Sequence, residues 1–285
     1  MILFTNAKIN LGLNVVSRRP DGYHDLLTVF YPVGRGSGCP GAPGCLSDIV
    51  EIVPAATGTD SFETAGNRVD CPPEKNLVWR ALRIFRENYP SLPPVSITLE
   101  KHVPDGAGMG GGSADASFTL RGLNEMVGSP FDDDSLARMA LRLGADCPFF
   151  IYNRPMAARG VGDILTPVDV DLSDYTLVIL KPEQGISTAE AFSHVVPSEP
   201  ALAPAALMSL RPEQWRGRLV NDFEESMFAI HPSLRRLNEY LYGCGAAYAS
   251  MTGSGSAFFG LFADPIEAAS CVEKADVPFV TLASL

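Results

Sequence analysis

"PDGAGMGGGSADAS", Pro104 to Ser117, places five glycines within the seven positions from Gly106 to Gly112 and follows them at once with Ser113-Ala114-Asp115. Glycine has the most backbone freedom to lose, so a folded chain concentrates it where φ must be positive or where bare backbone must come close to something. Upstream, "PVSITLEKHV" alternates, with Val95, Ile97 and Leu99 on one face, and predicts a strand. Downstream, "SADASFTLRGLNEMV" predicts a helix with Ser113 as its N-cap and Asp115 in its first turn. A glycine run between strand and helix adds its own N–H groups to the unpaired N–H groups and positive dipole end of the helix. That combination is an anion site, and phosphate is its usual occupant. Three familiar phosphate loops do not match. The Walker ending Gly-Lys-Ser/Thr is missing, and a dinucleotide fingerprint over Gly106, Gly108 and Gly111 lacks a chain-initial βαβ unit. Neither His-Arg-Asp nor Asp-Phe-Gly occurs.

Outward from this stretch the chain reads as mixed α and β in both halves. "ILFTNAKINLGLNVV" predicts a strand or hairpin, "SDIVEIVPA" a strand and "NLVWRALRIFREN" a helix. "DDDSLARMALRLG" predicts a helix started by acidic residues and stopped by Gly144. "RPMAARGVGDILTPV" reads as a crossing between two halves. Beyond it come the strand "YTLVILKP", helices near residues 188–195 and 222–242, and the strand–turn–strand "AYASMTGSGSAFFGLF". The helix "PIEAASCVEKA" and the strand "PFVTLAS" close the chain. These scattered β signals favour α+β over a doubly wound sheet.

The 285 residues suit roughly two domains of ~150 residues each. A net charge of −11 leaves no basic stripe for nucleic acid or an anionic membrane, so any anionic ligand must be held by a few local cations and N–H groups. No apolar run approaches the ~18 residues of a membrane span, and "MILFTNAKIN" lacks a secretory layout. A cytoplasmic protein with a small-molecule partner, and neither nucleic acid nor membrane, is expected. The six cysteines are scattered; Cys39 and Cys45, in the Gly/Pro-rich "GRGSGCPGAPGC", are open to a disulfide or half a zinc site, with reduced cysteines the expectation.

"PDGAGMGGGSADA" resembles the P-x-G-x-G-[LM]-G-[GS]-[GS]-S-[AS] signature of the GHMP small-molecule kinases. Two further segments, Ala7–Phe30 ("AKINLGLNVVSRRPDGYHDLLTVF") and Leu143–Phe150 ("LGADCPFF"), are similar to the branch of that superfamily acting on a cytidine-diphosphate-linked methylerythritol. "RGVGDILTPV", "NDFE" at 221–224 and "MTGSGSAFFG" at 251–260 follow in the same order. The resemblance spans nearly the whole chain. It implies an α+β, two-domain GHMP-kinase-like fold with the active site in the cleft between the halves. Residues 1–158 would form a ribosomal-protein-S5-domain-2-like half and residues 159–285 a C-terminal α+β half. The implied activity is ATP-dependent phosphorylation of the substrate's 2-hydroxyl in non-mevalonate isoprenoid precursor synthesis, by a monomer or homodimer. A homoserine- or mevalonate-type GHMP kinase and a catalytically silent binder on the same fold are the alternatives.

By the same resemblance Lys8 and Asp146 form the catalytic pair, Asp146 accepting the hydroxyl proton and Lys8 holding hydroxyl and carboxylate. On residue type alone Lys8 reads as an exposed strand lysine and Asp146 as a turn aspartate. Tyr23 and His24 of "GYH" would take the cytosine by stacking and polar contacts, with Phe192 closing the stack, Thr188 facing the substrate and Asn10 holding the polyol. ATP would be wrapped by Pro104, Asp105, Gly106, Ala107, Gly108, Met109, Gly110, Gly111, Gly112, Ser113 and Ala114, with Asn76 and Leu77 lining the adenine pocket. Lys101 reads equally as a nucleotide contact or a solvated strand-end lysine. Mg²⁺ is expected on the β- and γ-phosphate oxygens. Ser113 or Asp146 can touch it, and its ligands stay open because "SLARMALRLGAD" supplies no further acid before Asp146. "MTGSGSAFFG" takes a supporting role, and the stretch Gly34 to Cys45 is longer than this family leads one to expect.

Overall fold

The first strand organises the molecule. β1 (Ile2–Arg18) runs 17 residues and is buried without a break from Thr5 to Val15. Such a strand needs cover on both faces. Its first five residues pair antiparallel with β3 (Ser47–Pro54), and its later residues pair antiparallel with β2 (His24–Val33). The partner changes between Asn6 and Ala7, and within the β1/β2 pairing the register shifts between Leu11 and Leu13, where Gly12 has φ +67° and sits against the side chain of Leu219. The computed structural model describes residues 1–34, 44–69 and 71–285, so Cys39 and its pairing with Cys45 lie outside the described residues, as does most of the stretch from Gly34 to Cys45.

β4 (Ser61–Gly66), β5 (Val95–Lys101), β6 (Met156–Arg159) and β7 (Ile164–Pro167) complete a seven-stranded sheet in the order β4-β5-β3-β1-β2-β6-β7. β4, which pairs parallel to β5 and is mostly exposed, escaped the periodicity reading because it has no apolar face. Three helices cover the β5/β3 side: α1 (Leu77–Asn88), α2 (Gly111–Met126) and α3 (Asp133–Leu141). Their core joins Val50, Ile52, Ile97 and Leu99 to Val78, Leu82, Phe85, Leu120 and Leu123. A short helix, α4 (Cys147–Tyr152), follows α3.

"RPMAARGVGDILTPV" does not cross between halves. It folds back as the β6/β7 hairpin, pairing on β2 through Thr28, Val29 and Phe30. A division at 158/159 therefore falls inside β6; the two sheets part between Pro167 and Thr176.

The second sheet has the order β11-β8-β10-β9, built from β8 (Thr176–Lys181), β9 (Tyr248–Met251), β10 (Phe258–Phe262) and β11 (Phe279–Ala283). Its helices are α5 (Thr188–His194), α6 (Phe223–Ile230), α7 (Pro232–Gly243) and α8 (Pro265–Lys274). The two sheets share one core: Ala7, Ile9, Leu11 and Val29 of the first pack with Leu177, Ile179, Phe259 and Leu261 of the second, beside Trp215 and Tyr248. The architecture is α+β in two halves, and the chain of β1 touches both. The Leu13 N–H donates to the Val220 carbonyl (2.9 Å) and the Asp222 N–H to the Leu13 carbonyl (2.8 Å).

Candidate active site

A cleft of about 610 Å³ opens between the halves. Its floor is the glycine stretch, and the local structure follows from glycine's freedom. Gly106, Gly108 and Gly110 have φ of +60°, +73° and +72°. A Cβ on Gly108 would collide with the Thr252 carbonyl oxygen, and one on Gly110 would come within 3.0 Å of the Phe150 ring and 3.2 Å of Lys8. The left-handed Gly110 is itself the N-cap of α2 and has no side-chain cap. Ser113 is therefore not the cap expected from the sequence: the left-handed glycine starts the helix three residues earlier, and Ser113 lies in the first turn, lining the cleft. The first helical N–H groups have no partner within the helix. The loop is held from both halves. The Lys8 N–H donates to the Met109 carbonyl (3.0 Å), and the Ala257 N–H of the second half donates to the Ala107 carbonyl (3.3 Å).

Above the loop stand Lys8, Asn10 and Asp146. The Lys8 ammonium donates to Asn10 Oδ1 (2.5 Å) and the Gly108 carbonyl (2.7 Å), and lies 3.7 Å from Asp146 Oδ2. It also sits 5.2 Å from the centre of the Phe30 ring. Lys8 is buried, not an exposed strand lysine; burial pulls its pKa below the ordinary value, while Asp146 pulls it back up. Asp146 immediately precedes α4, with its side chain 37% exposed to the cleft. Asn10 is fixed in turn, its amide donating to the Thr28 hydroxyl (3.0 Å) while its N–H donates to the Thr252 hydroxyl (3.1 Å).

At the other end of the cleft are Tyr23, His24, Thr188 and Phe192. Phe192, expected to close a stack on the cytosine, lies in the same cleft as Tyr23 and His24. It stacks on His24, with ring centres 4.7 Å apart and planes at 23°, and meets Phe223 edge-on at 4.9 Å. Tyr23 is 64% exposed at the rim of the cleft. His24 has its pKa lowered by burial and by Arg18 nearby. The Thr188 and Ser254 hydroxyls lie 3.3 Å apart, which brings the second glycine turn to the same wall.

The expected nucleotide residues divide. Gly106, Gly108, Gly110 and Ser113 line the main cleft. Asn76, Leu77, Asp105 and Gly112 line an adjoining hollow of about 370 Å³ on the far side of the first turn of α2. Asn76 also caps α1, its Oδ1 accepting the Val78 N–H at 2.9 Å. Ala107, Met109 and Ala114 are buried as packing, and Gly111 is the first residue of α2. Pro104 starts the loop. Lys101 borders the hollow too, and it is not a solvated lysine. It is 3% exposed and its ammonium is held by Asp48 and by Asp115 (2.9 Å). Lys101 takes the next inward position after Val95, Ile97 and Leu99, so the alternation of β5 already carried that signal.

Sequence reading missed the residues that mount the second glycine turn. Asn221 donates from its side chain to the Met251 and Gly253 carbonyls (2.8 and 2.9 Å). Asp222 accepts from the Val15 N–H and the Asn14 amide (2.8 and 2.9 Å). Glu224 accepts from the Met251 N–H and the Ser250 hydroxyl (2.6 and 2.8 Å), and burial raises its pKa to about 7. Among the described residues no group of three or more His, Cys, Asp or Glu is arranged to hold a metal.

A glycine loop opening a helix beneath a buried lysine and its cleft-facing aspartate, between two α+β halves, defines a small-molecule phosphotransferase. Residues 76–154 match the GHMP kinases N terminal domain and residues 203–277 the GHMP kinases C terminal domain. The 4-diphosphocytidyl-2-C-methyl-D-erythritol kinase of Parabacteroides distasonis is 47% identical over 265 residues, 93% of each chain. A crystal structure of 4-(cytidine 5'-diphospho)-2C-methyl-D-erythritol kinase superposes with a TM-score of 0.76 at 32% identity, covering 96% of this chain and 94% of that one. Homoserine kinase from Cytophaga hutchinsonii shares the fold (TM-score 0.72, 17% identity, 98% and 94% covered). The chain belongs to the GHMP kinases and, within them, to the 4-diphosphocytidyl-2-C-methyl-D-erythritol kinase family. It is a kinase with ATP as donor.

Proposed function

We propose that this protein transfers the γ-phosphoryl group of ATP to the 2-hydroxyl of 4-diphosphocytidyl-2-C-methyl-D-erythritol, as a cytoplasmic enzyme of isoprenoid precursor synthesis. The observation that carries the reading is the buried Lys8 ammonium, 3.7 Å from the cleft-facing Asp146 carboxylate and hydrogen-bonded to the glycine loop itself. The oxygen–phosphorus bond to the acceptor forms as the bond between the β- and γ-phosphates breaks, leaving ADP, and Asp146 takes the hydroxyl proton. Lys8 holds the acceptor oxygen as it gains charge, and Asn10 fixes Lys8. The loop N–H groups and the start of α2 hold the nucleotide phosphates. Most acceleration in phosphoryl transfer comes from such positioning and charge stabilisation.

Mg²⁺ fits the donors present. A cation that keeps its waters and takes phosphate oxygens needs few protein ligands, and Ser113 and Asp146 border the cleft where those phosphates would lie. Bound there, it would neutralise charge on the β- and γ-oxygens. The cytidine handle is assigned to Tyr23, His24 and Phe192, with Thr188 on the same wall.

The test is ADP release from ATP and Mg²⁺ with the cytidylated polyol, homoserine and mevalonate offered separately. Turnover with the cytidylated polyol alone is expected. Turnover with another alcohol keeps the phosphate loop and discards the base site, and ATP binding without any turnover points to a silent binder.

A further inference from the structure

The chain leaves β5 for the glycine loop through His102 and Val103, and a buried carboxylate on the neighbouring strand β3 steers it. Asp48 Oδ1, on β3, accepts the His102 N–H (2.5 Å) and the Val103 N–H (2.7 Å), while Oδ2 accepts from Lys101. Lys101 also donates to Asp115 Oδ2 (2.9 Å), and Asp115 Oδ1 accepts the Thr5 hydroxyl (2.5 Å). Asp48 and Thr5 are fully buried, with Asp115 at 1% and Lys101 at 3% exposure. The ammonium lies 3.2 Å from where a Cβ would stand on Gly111, directly beneath the start of α2. One lysine and two aspartates thus tie the strand that delivers the loop to the helix that receives it.

Buried ionic groups are costly, and apolar residues of similar volume would often stabilise a fold as well. What apolar residues could not do is accept two backbone N–H groups at the loop's exit. Burial and Asp48 push the pKa of Asp115 up, against the pull of the Lys101 ammonium and the Thr5 hydroxyl. We infer that Asp48 is a positioning residue for nucleotide binding: it fixes the exit of the glycine loop and, through Lys101 and Asp115, the separation of the loop's two ends. This rests on the reading that the loop holds ATP. Asp48 does not line the cleft, so it acts through the loop.

The experiment is calorimetric binding of ATP and of cytidine diphosphate, with steady-state kinetics, on the full chain and on Asp48→Ala and Asp48→Asn. Two orphaned buried N–H groups should weaken ATP binding about 30-fold or more in Asp48→Ala, raising the KM for ATP far more than they lower kcat. Cytidine diphosphate binding should stay within about twofold, because its site is at the other end of the cleft. Asp48→Asn keeps an acceptor oxygen and should recover most of the loss, to about three- to tenfold. ATP binding within twofold of the parent in both variants overturns the inference, as does an equal fall for both ligands. If Asp48→Ala does not fold, Asp48→Asn decides alone: weaker ATP binding with unchanged cytidine diphosphate binding upholds it, and parent-like ATP binding overturns it. An unaltered protein that does not bind ATP removes the functional reading, and this inference with it.

Discussion

The two ends of the cleft are built on opposite terms. At the phosphate end the lysine, its neighbours and the loop carbonyls are tied down: Lys8 to Asn10 and Gly108, Thr252 to Asn10, the Ala107 and Met109 carbonyls to N–H groups from both halves. At the base end Tyr23 stands out at the rim, and Phe192 rides on a helix of only seven residues. The difference matches the two tasks. In-line phosphoryl transfer loses rate steeply with small displacements, so its groups are locked. Stacking on a base tolerates a range of approaches and needs only an aromatic face within reach.

The sharpest break between the ends is Asp146→Asn. The carboxylate faces the Lys8 ammonium at 3.7 Å, and the amide keeps its shape while losing its basicity. Turnover should fall by about 10²–10⁴, the usual reach of a general base, with ATP and cytidine diphosphate binding near normal. Steady-state kinetics beside calorimetry checks it; a variant that turns over like the parent removes Asp146 from the chemistry.

Tyr23→Ala works on the other end alone. Loss of one stacking face is worth ~1–3 kcal/mol per base, so the KM for the cytidylated substrate should rise about 5- to 160-fold while the KM for ATP stays put. Phe192→Ala should do the same and also disturb His24, whose ring it covers at 4.7 Å. If neither substitution moves the cytidylated substrate's KM, the base is read elsewhere and the two ends cannot be told apart by task.

These contrasts also explain how much the sequence let one read. The strand–glycine–helix order is a local pattern and appears where periodicity put it, whereas the first segment, open to a strand or a hairpin, is one long strand. Ser113 was mistaken for a cap because serine is a usual cap, whereas a left-handed glycine can begin a helix with no side chain at all. Asp48 was illegible for a different reason. It sits 54 and 55 positions from the N–H groups it holds, and a lone aspartate in a β-rich run signals nothing until β3 and β5 are paired. Lys101 was half legible: an inward lysine on an alternating strand demands a buried anion, though the strand cannot say which. The "NDFE" run showed its family likeness but not its work, since Asn221, Asp222 and Glu224 act on β1 and the second glycine turn, both distant in sequence.

The smallest expected effect concerns Glu224, which serves both ends by holding β9 just before the glycine turn. Gly253, Ser254 and Gly255 of that turn line the cleft. Burial lifts the Glu224 pKa from 4.5 to about 7 against the opposing pull of its bonds to Met251 and Ser250. The folded protein therefore holds a proton there over a range where the unfolded chain has released it. Stability from this group is unchanged below about pH 4.5, falls as pH rises toward about 7, and is level again above. Glu224→Gln keeps an oxygen for the Met251 N–H and has no proton to lose, so it removes this part of the slope. Denaturant midpoints at about pH 5 and about pH 8 should draw apart more in the parent than in the variant. Turnover near neutral pH should change little, because the turn keeps its Asn221 bonds to Met251 and Gly253. Equal pH dependence in parent and variant would mean the carboxyl is as free to ionise in the folded state as in the unfolded one.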